Sequence, residues 1–98
     1  MSINELINFL KRKGFKDTFQ ILMEVKNNRV ETREFNRELN KFSYYNSFFR
    51  VKADLIKKEL IVIEQKNSKK FIRLTEKGLK VYNKLVEIND IINNITEL

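Results

Sequence analysis

The 98-residue chain has no cysteine, no histidine and no proline, and its only glycines are Gly14 and Gly78. Without cysteine it can form neither disulfides nor thiolate metal sites. Without histidine it lacks both the commonest general base and the commonest metal ligand. An enzyme built from it would have to work with Asp, Glu, Lys, Tyr or Ser alone. The sequence contains no phosphate-binding glycine loop, no metal-ligand spacing and no nucleophile beside a plausible base. It therefore reads as a non-enzyme with no cofactor, no metal and no redox switch, and nothing marks a small-molecule effector pocket. No apolar run approaches the ~20 residues that cross a bilayer. Residues 1–13 alternate polar and apolar side chains and lack the apolar centre of a signal peptide. The expectation is a soluble cytoplasmic protein, free or nucleoid-associated, with no membrane partner. With no linker-like or low-complexity tract, residues 1–98 read as a single domain with one modest core.

What is abundant is positive charge: the net charge is +7 and the pI is about 9.7. A balance of this size favours a polyanionic partner, either nucleic acid or an anionic membrane. The charge is unevenly placed. Residues 76–98 hold Lys77, Lys80 and Lys84 against Glu76, Glu87, Asp90 and Glu97, a net of −1, so residues 1–75 carry +8. A basic body and a near-neutral tail imply separate tasks.

Hydrophobic periodicity sets out the elements. Ser2 and Glu5 have capping-box spacing, and Ile3, Leu6, Ile7 and Leu10 recur on one helical face. Lys11, Arg12 and Lys13 suit the last turn of that helix, and Gly14 is expected to stop it. Asp17 is the expected N-cap of a second helix carrying Phe19, Leu22 and Met23. Val30 is a candidate for a very short strand. Thr32 is expected to cap a third helix, with Phe35 and Leu39 buried. Ser43 is expected to cap a fourth helix over 43–59, with Tyr44, Phe48, Val51, Leu55 and Ile56 inward and Phe49 at the flank, read as core ahead of a dimer contact or an exposed DNA contact. The period then changes: Leu60-Ile61-Val62-Ile63-Glu64 and Phe71-Ile72-Arg73-Leu74 read as strands of a hairpin around a Lys66-Asn67-Ser68-Lys69 turn. Thr75 is expected to cap the last helix.

These runs resemble a known family. Leu55-Ile56-Lys57-Lys58-Glu59-Leu60-Ile61 resembles the L-x-x-x-G-L-I that ends the recognition helix of MarR- and PadR-type winged-helix regulators. Phe71 to Gly78, reading FIRLTEKG, is similar to the y-x-L-T-x-x-G that leaves their wing. Residues 30–42 resemble their first helix-turn-helix element, with Phe35 in the leucine place. The resemblance spans about residues 17–86. It implies an α+β, mainly α winged helix-turn-helix, with residues 17–75 as the core; the periodic runs outside it are read as an added N-terminal helix over 1–14 and a long C-terminal dimerisation helix over 76–98. The implied function is double-stranded DNA binding as a homodimeric transcriptional regulator. One position departs: Glu59 stands where the family has glycine. Glutamate tolerates a left-handed C-cap poorly, so the corner there is expected to differ.

Groove geometry selects the contact residues. With Phe48, Val51 and Leu55 inward, Asn46, Arg50, Ala53 and Lys57 point outward. Ser43, Tyr45, Asn46, Ser47 and Arg50 are the candidates to read bases, since a recognition helix enters the major groove by its N-terminal part. Arg can make paired bonds to guanine and Asn to adenine. Lys66, Lys69, Lys70 and Arg73 give a basic wing, with no acid between Glu64 and Glu76, suited to phosphates or the minor groove. Thr32, Arg33 and Arg37 are candidates for backbone contacts. In the last helix Val81, Leu85, Ile88, Ile92 and Ile95 follow a 4-3-4-3 spacing, the seam of a coiled coil. Leu79, Tyr82, Val86 and Ile91 form a second strip. One strip can pack on the chain's own core; the other, with Ile3, Leu6, Ile7 and Leu10, is expected to form a homodimer. The alternatives are an architectural or plasmid-partition DNA binder of low sequence choice, and a protein-interaction adaptor that does not touch DNA.

Overall fold

A computed structural model of the chain describes residues 1–42 and 46–93. The expectations for Ser43, Tyr44, Tyr45 and Ile95, and for the side chain of Asn46, lie outside the described residues.

The first helix, α1 (Ile3–Leu10), starts on a complete capping box. Ser2 Oγ accepts from the Glu5 amide at 3.1 Å, and the Glu5 carboxylate accepts from the Ser2 amide at 2.9 Å. The chain then breaks earlier than the glycine implies. Lys11 is the C-cap, and Arg12, with extended backbone, is the N-cap of α2 (Lys13–Glu24). Gly14 therefore stops no helix and Asp17 caps none; both are buried in the first turns of α2. The reason lies across the core in α4 (Asn46–Lys57). A Cβ at position 14 would stand 1.9 Å from the Ser47 carbonyl oxygen. The missing side chain lets two helix backbones touch.

Val25 leaves α2 in extended conformation, and a short 3₁₀ turn (Lys26–Asn28) follows. Asn27 and Asn28 take positive φ angles, which asparagine tolerates better than most residues. The Asn28 side chain donates to the Leu22 carbonyl at 2.9 Å, satisfying an end group of α2. Strand β1 (Arg29–Glu31) leads directly into α3 (Thr32–Asn40). The N-cap of α3 is Glu31, without a side-chain cap bond. Thr32 is thus the first helical residue rather than the cap, and its hydroxyl donates instead to the Lys70 carbonyl at 3.3 Å.

Helix α4 ends in a Schellman motif: the Leu60 amide bonds to the Leu55 carbonyl and the Glu59 amide to the Ile56 carbonyl, both at 2.9 Å. Glu59 has φ 62°. The expected departure at this corner does not occur; the glutamate adopts the left-handed conformation the glycine would have taken. Strands β2 (Ile61–Lys66) and β3 (Lys69–Leu74) follow. Their two-residue turn, Asn67 and Ser68, has positive φ at both positions, the backbone of a type I′ hairpin. The sheet order is β1-β3-β2, all antiparallel, with Ile72 facing Val30 on one side and Ile63 on the other. Helix α5 (Glu76–Ile92) starts at Thr75, whose hydroxyl accepts from the Gly78 amide at 2.9 Å.

One core joins these elements. Phe15, Phe19 and Leu22 of α2 meet Phe35 and Leu39 of α3, Val51 and Leu55 of α4, and Ile61, Ile72 and Leu74 of the sheet, all buried. Phe15 stacks on Phe19 with ring centroids 4.4 Å apart, and Phe35 meets Phe48 edge-on at 4.8 Å. The apolar strips of α5 divide along the helix, not around it. Leu79, Val81, Tyr82 and Leu85 pack on the core, whereas Val86, Ile88, Ile91 and Ile92 are exposed. In α1, Phe9 is buried and Leu10 packs on the core, while Ile3, Leu6 and Ile7 are exposed. Among the described residues no helix is long and apolar enough to cross a membrane, and no acidic group cluster could hold a metal ion.

Candidate nucleic-acid interface

Helix α4 is held in place by the start of α2. The Arg12 guanidinium donates to Asp54 Oδ2 at 2.9 Å and to the Arg50 carbonyl at 2.6 Å. One turn further in, the Ser47 hydroxyl donates to Asp17 Oδ2 at 3.2 Å, with Lys13 Nζ 3.5 Å from the same oxygen. Asp17 is fully buried. Its partners keep a buried carboxylate from standing uncompensated. Ser47, read from the sequence as facing bases, thus turns its hydroxyl toward the protein. Neither the Arg12 clamp nor the role of Asp17 has a local sequence signal, since each joins residues about thirty or more positions apart.

The outer side of α4 presents Arg50, Ala53 and Lys57, all exposed, as the helical wheel requires. Two residues differ from expectation. Phe49 is 56% exposed and Ile56 39% exposed; neither is core. The inner edge is already filled by Phe48, Val51 and Leu55, and a residue next to that line is turned by about 100° out of it. The Lys52 ammonium lies 6.0 Å from the Phe49 ring centroid.

The β2–β3 hairpin carries Lys66, Lys69 and Lys70 at its exposed end. Among the described residues none of these three, nor Arg33 or Arg50, is in an ion pair. Glu31, Thr32 and Arg33 at the start of α3 and Ser68, Lys69 and Lys70 of the hairpin line a cleft of about 350 Å³. The Thr32–Lys70 hydrogen bond joins its two walls. Residues some 37 positions apart in the chain, picked out separately for phosphate contact, form one surface.

Two expected site residues are committed elsewhere. Arg73 pairs with Glu64, Nη2 to Oε2 at 3.2 Å, and Arg37 pairs with Glu34 one turn away. Arg29 also reaches Glu64, at 3.4 Å, and its guanidinium lies 3.8 Å above the Phe71 ring. Arg29, Glu64, Phe71 and Arg73 sit on the outer face of the sheet, opposite the core-facing Ile72. The hydrogen bond from Arg73 lowers the Glu64 pKa below the ordinary glutamate value; partial burial opposes this, and the charges of Arg73 and Arg29 add to the lowering. This cluster lies along the body of the hairpin, away from its Lys66–Lys69 tip.

No family model and no curated protein matches the chain. A solved structure does: F93 from STIV, a winged-helix DNA-binding protein, aligns over 90% of this chain and 91% of its own with a TM-score of 0.56 at 22% sequence identity. The fold is a winged helix. In its terms α3 and α4 are the two helices of the helix-turn-helix and β2–β3 is the wing.

Proposed function

We propose that this chain binds double-stranded DNA as a homodimeric, sequence-specific transcriptional regulator of the MarR and PadR kind. Helix α4 lies in the major groove and the wing lies on the backbone or in the minor groove. The observation that carries the reading is the cleft shared by Thr32, Arg33, Lys69 and Lys70. It joins hydroxyl and cationic donors from the helix-turn-helix and the wing on one surface, and unpaired cations at a surface cost least where a polyanion neutralises them. The likeness to a winged-helix DNA-binding protein supports it. Within the recognition helix, Arg50 and the side chain of Asn46 are the base-reading candidates, with Ser43 and Tyr45 just before the helix. Arg33, which is in no ion pair among the described residues, serves the DNA backbone.

Dimerisation rests on the apolar ends. Ile3, Ile7, Ile88 and Ile92 are all at least half exposed. A second copy would cover them, in line with the coiled-coil spacing that continues to Ile95. A two-fold pair of winged helices would favour a palindromic site with half-sites about one DNA turn apart.

The test is fluorescence anisotropy against random duplex DNA and against the DNA upstream of the chain's own gene, over a salt series. Preferential upstream binding that is lost in Arg50→Ala supports the regulator. Equal, salt-sensitive binding to both duplexes supports the architectural alternative. No binding at low salt overturns the DNA reading in favour of the protein-interaction adaptor.

A further inference from the structure

The outer face of α4 has two edges. Phe49 and Ile56, seven residues apart and therefore in line, form an apolar edge, and both are exposed. Arg50 and Lys57, also seven apart, form a cationic edge. Ala53 lies between them, four residues from Phe49 and three from Ile56. Its small side chain lets the helix approach a surface closely.

We infer that this apolar edge reads the 5-methyl groups of thymines in the major groove, so that the preferred site holds thymine at fixed positions under α4. The inference rests on the DNA reading above and adds to it what the recognition helix recognises. Three observations lead to it. The core does not need Phe49 or Ile56, because Phe48, Val51 and Leu55 already fill the inner side. The edge is flanked within a turn by Arg50, Lys52 and Lys57, none of them in an ion pair among the described residues. The acid of the same stretch, Asp54, is bound to Arg12. Protein interfaces are depleted of lysine at their apolar centres. The DNA major groove, in contrast, offers apolar methyls on thymine beside phosphates and guanine acceptors. From Phe49 to Ile56 the helix rises about 10 Å, close to three base-pair steps at about 3.4 Å each.

The experiment starts from duplexes that the full chain itself enriches from a randomised pool. Each enriched duplex is remade with deoxyuridine for thymidine, which removes the methyl and leaves the pairing edge unchanged. Losing one buried methyl should weaken binding about fourfold. Phe49→Ala should lower the thymidine-to-deoxyuridine ratio and Phe49→Ala/Ile56→Ala should bring it close to one, whereas Arg50→Ala should lower both affinities and keep the ratio. Because Phe49 is exposed, the variant should keep the wild-type circular dichroism spectrum, which is checked in parallel. Equal binding of the two duplexes by a protein that still selects sequences overturns the inference and leaves the regulator reading intact. So does an unchanged ratio in Phe49→Ala, which would assign the edge to a protein partner. Failure to enrich or bind any duplex at low salt removes the DNA reading itself, and this inference with it.

Discussion

The Thr75 hydroxyl donates to the Glu59 carbonyl at 2.6 Å. This bond ties the exit of the wing to the left-handed residue that ends α4. The same hydroxyl receives the Gly78 amide and lies 3.1 Å from the Leu60 carbonyl, so one side chain caps α5 and closes the corner. Gly78 completes the arrangement, since a Cβ there would stand 2.2 Å from the Leu60 oxygen. The corner holds Glu59 at φ 62°, which an L side chain adopts at a cost of about 1–2 kcal/mol. Glu59→Gly should therefore raise the unfolding free energy by about 1 kcal/mol, the remainder being offset by the freer unfolded chain. The substitution also removes the ion pair between Glu59 and Lys77, which is long and exposed and contributes little. Urea denaturation checks this; a destabilised Glu59→Gly protein would contradict the account of the corner.

Gly14 makes the opposite prediction. In an exposed helix interior, Gly→Ala gains about 1 kcal/mol. Here the new methyl would meet the Ser47 carbonyl at 1.9 Å and Val51 at 2.7 Å, and backbone cannot move aside as a side chain can. Gly14→Ala should lower stability by about 1–3 kcal/mol and displace α4. Thermal unfolding gives the sign directly, and a gain in stability would mean that α2 and α4 do not touch at this point.

The two helices are also joined through Ser47 and Asp17. Ser47→Ala removes a donor from a fully buried carboxylate and should cost about 1–3 kcal/mol of stability. Because the hydroxyl points into the protein, the ranking of duplex sequences by affinity should stay as it is. A variant of unchanged stability that reorders its preferred sequences would return Ser47 to the base-reading set.

Periodicity carried most of the fold into view. The capping box at Ser2, the hairpin turn at Asn67-Ser68 and the FIRLTEKG run each rest on neighbours in the chain, and each took its expected form. The failures are contacts between distant segments. Gly14 looked like a helix stop because glycine usually is one; its burial under Ser47 depends on α4. Phe49, at the flank of the inward line, was read as core ahead of a dimer or DNA contact, yet a helix facing one core has room for only one inward edge. The exposure of Lys66, Lys69 and Lys70 at the hairpin end was legible from the strand–turn–strand pattern. The capture of Arg73 by Glu64 was not, because the acid lies on the neighbouring strand, opposite Phe71. Glu59 shows a third case: the backbone kept its course where residue preference argued against it, because Thr75 and the Schellman bonds act together.

The wing lysines should act on affinity without changing sequence choice. Lys69 and Lys70 are exposed and lie at the cleft with Arg33. If each neutralises one phosphate, Lys69→Ala/Lys70→Ala should make the slope of log K against log salt shallower by about 1.8. The order of preference among duplexes should stay the same. A salt slope equal to wild type would place the wing off the DNA.

The dimer prediction turns on the division of α5 along its length. Ile88 and Ile92 are 50% and 76% exposed in the single chain, so charges there should not disturb the core. Ile88→Glu/Ile92→Glu should halve the mass measured by sedimentation and keep the circular dichroism spectrum. Val81 and Leu85 lie on the same seam but pack on the chain's own core; Val81→Glu/Leu85→Glu should unfold the protein instead of separating two folded copies. The contrast distinguishes a seam used between chains from one used within a chain. If the first variant sediments as the wild type does, the exposed end of α5 is not the dimer contact. If DNA affinity then falls steeply in a folded monomer, the two recognition helices act as a pair, because each half-site alone offers about half the contacts.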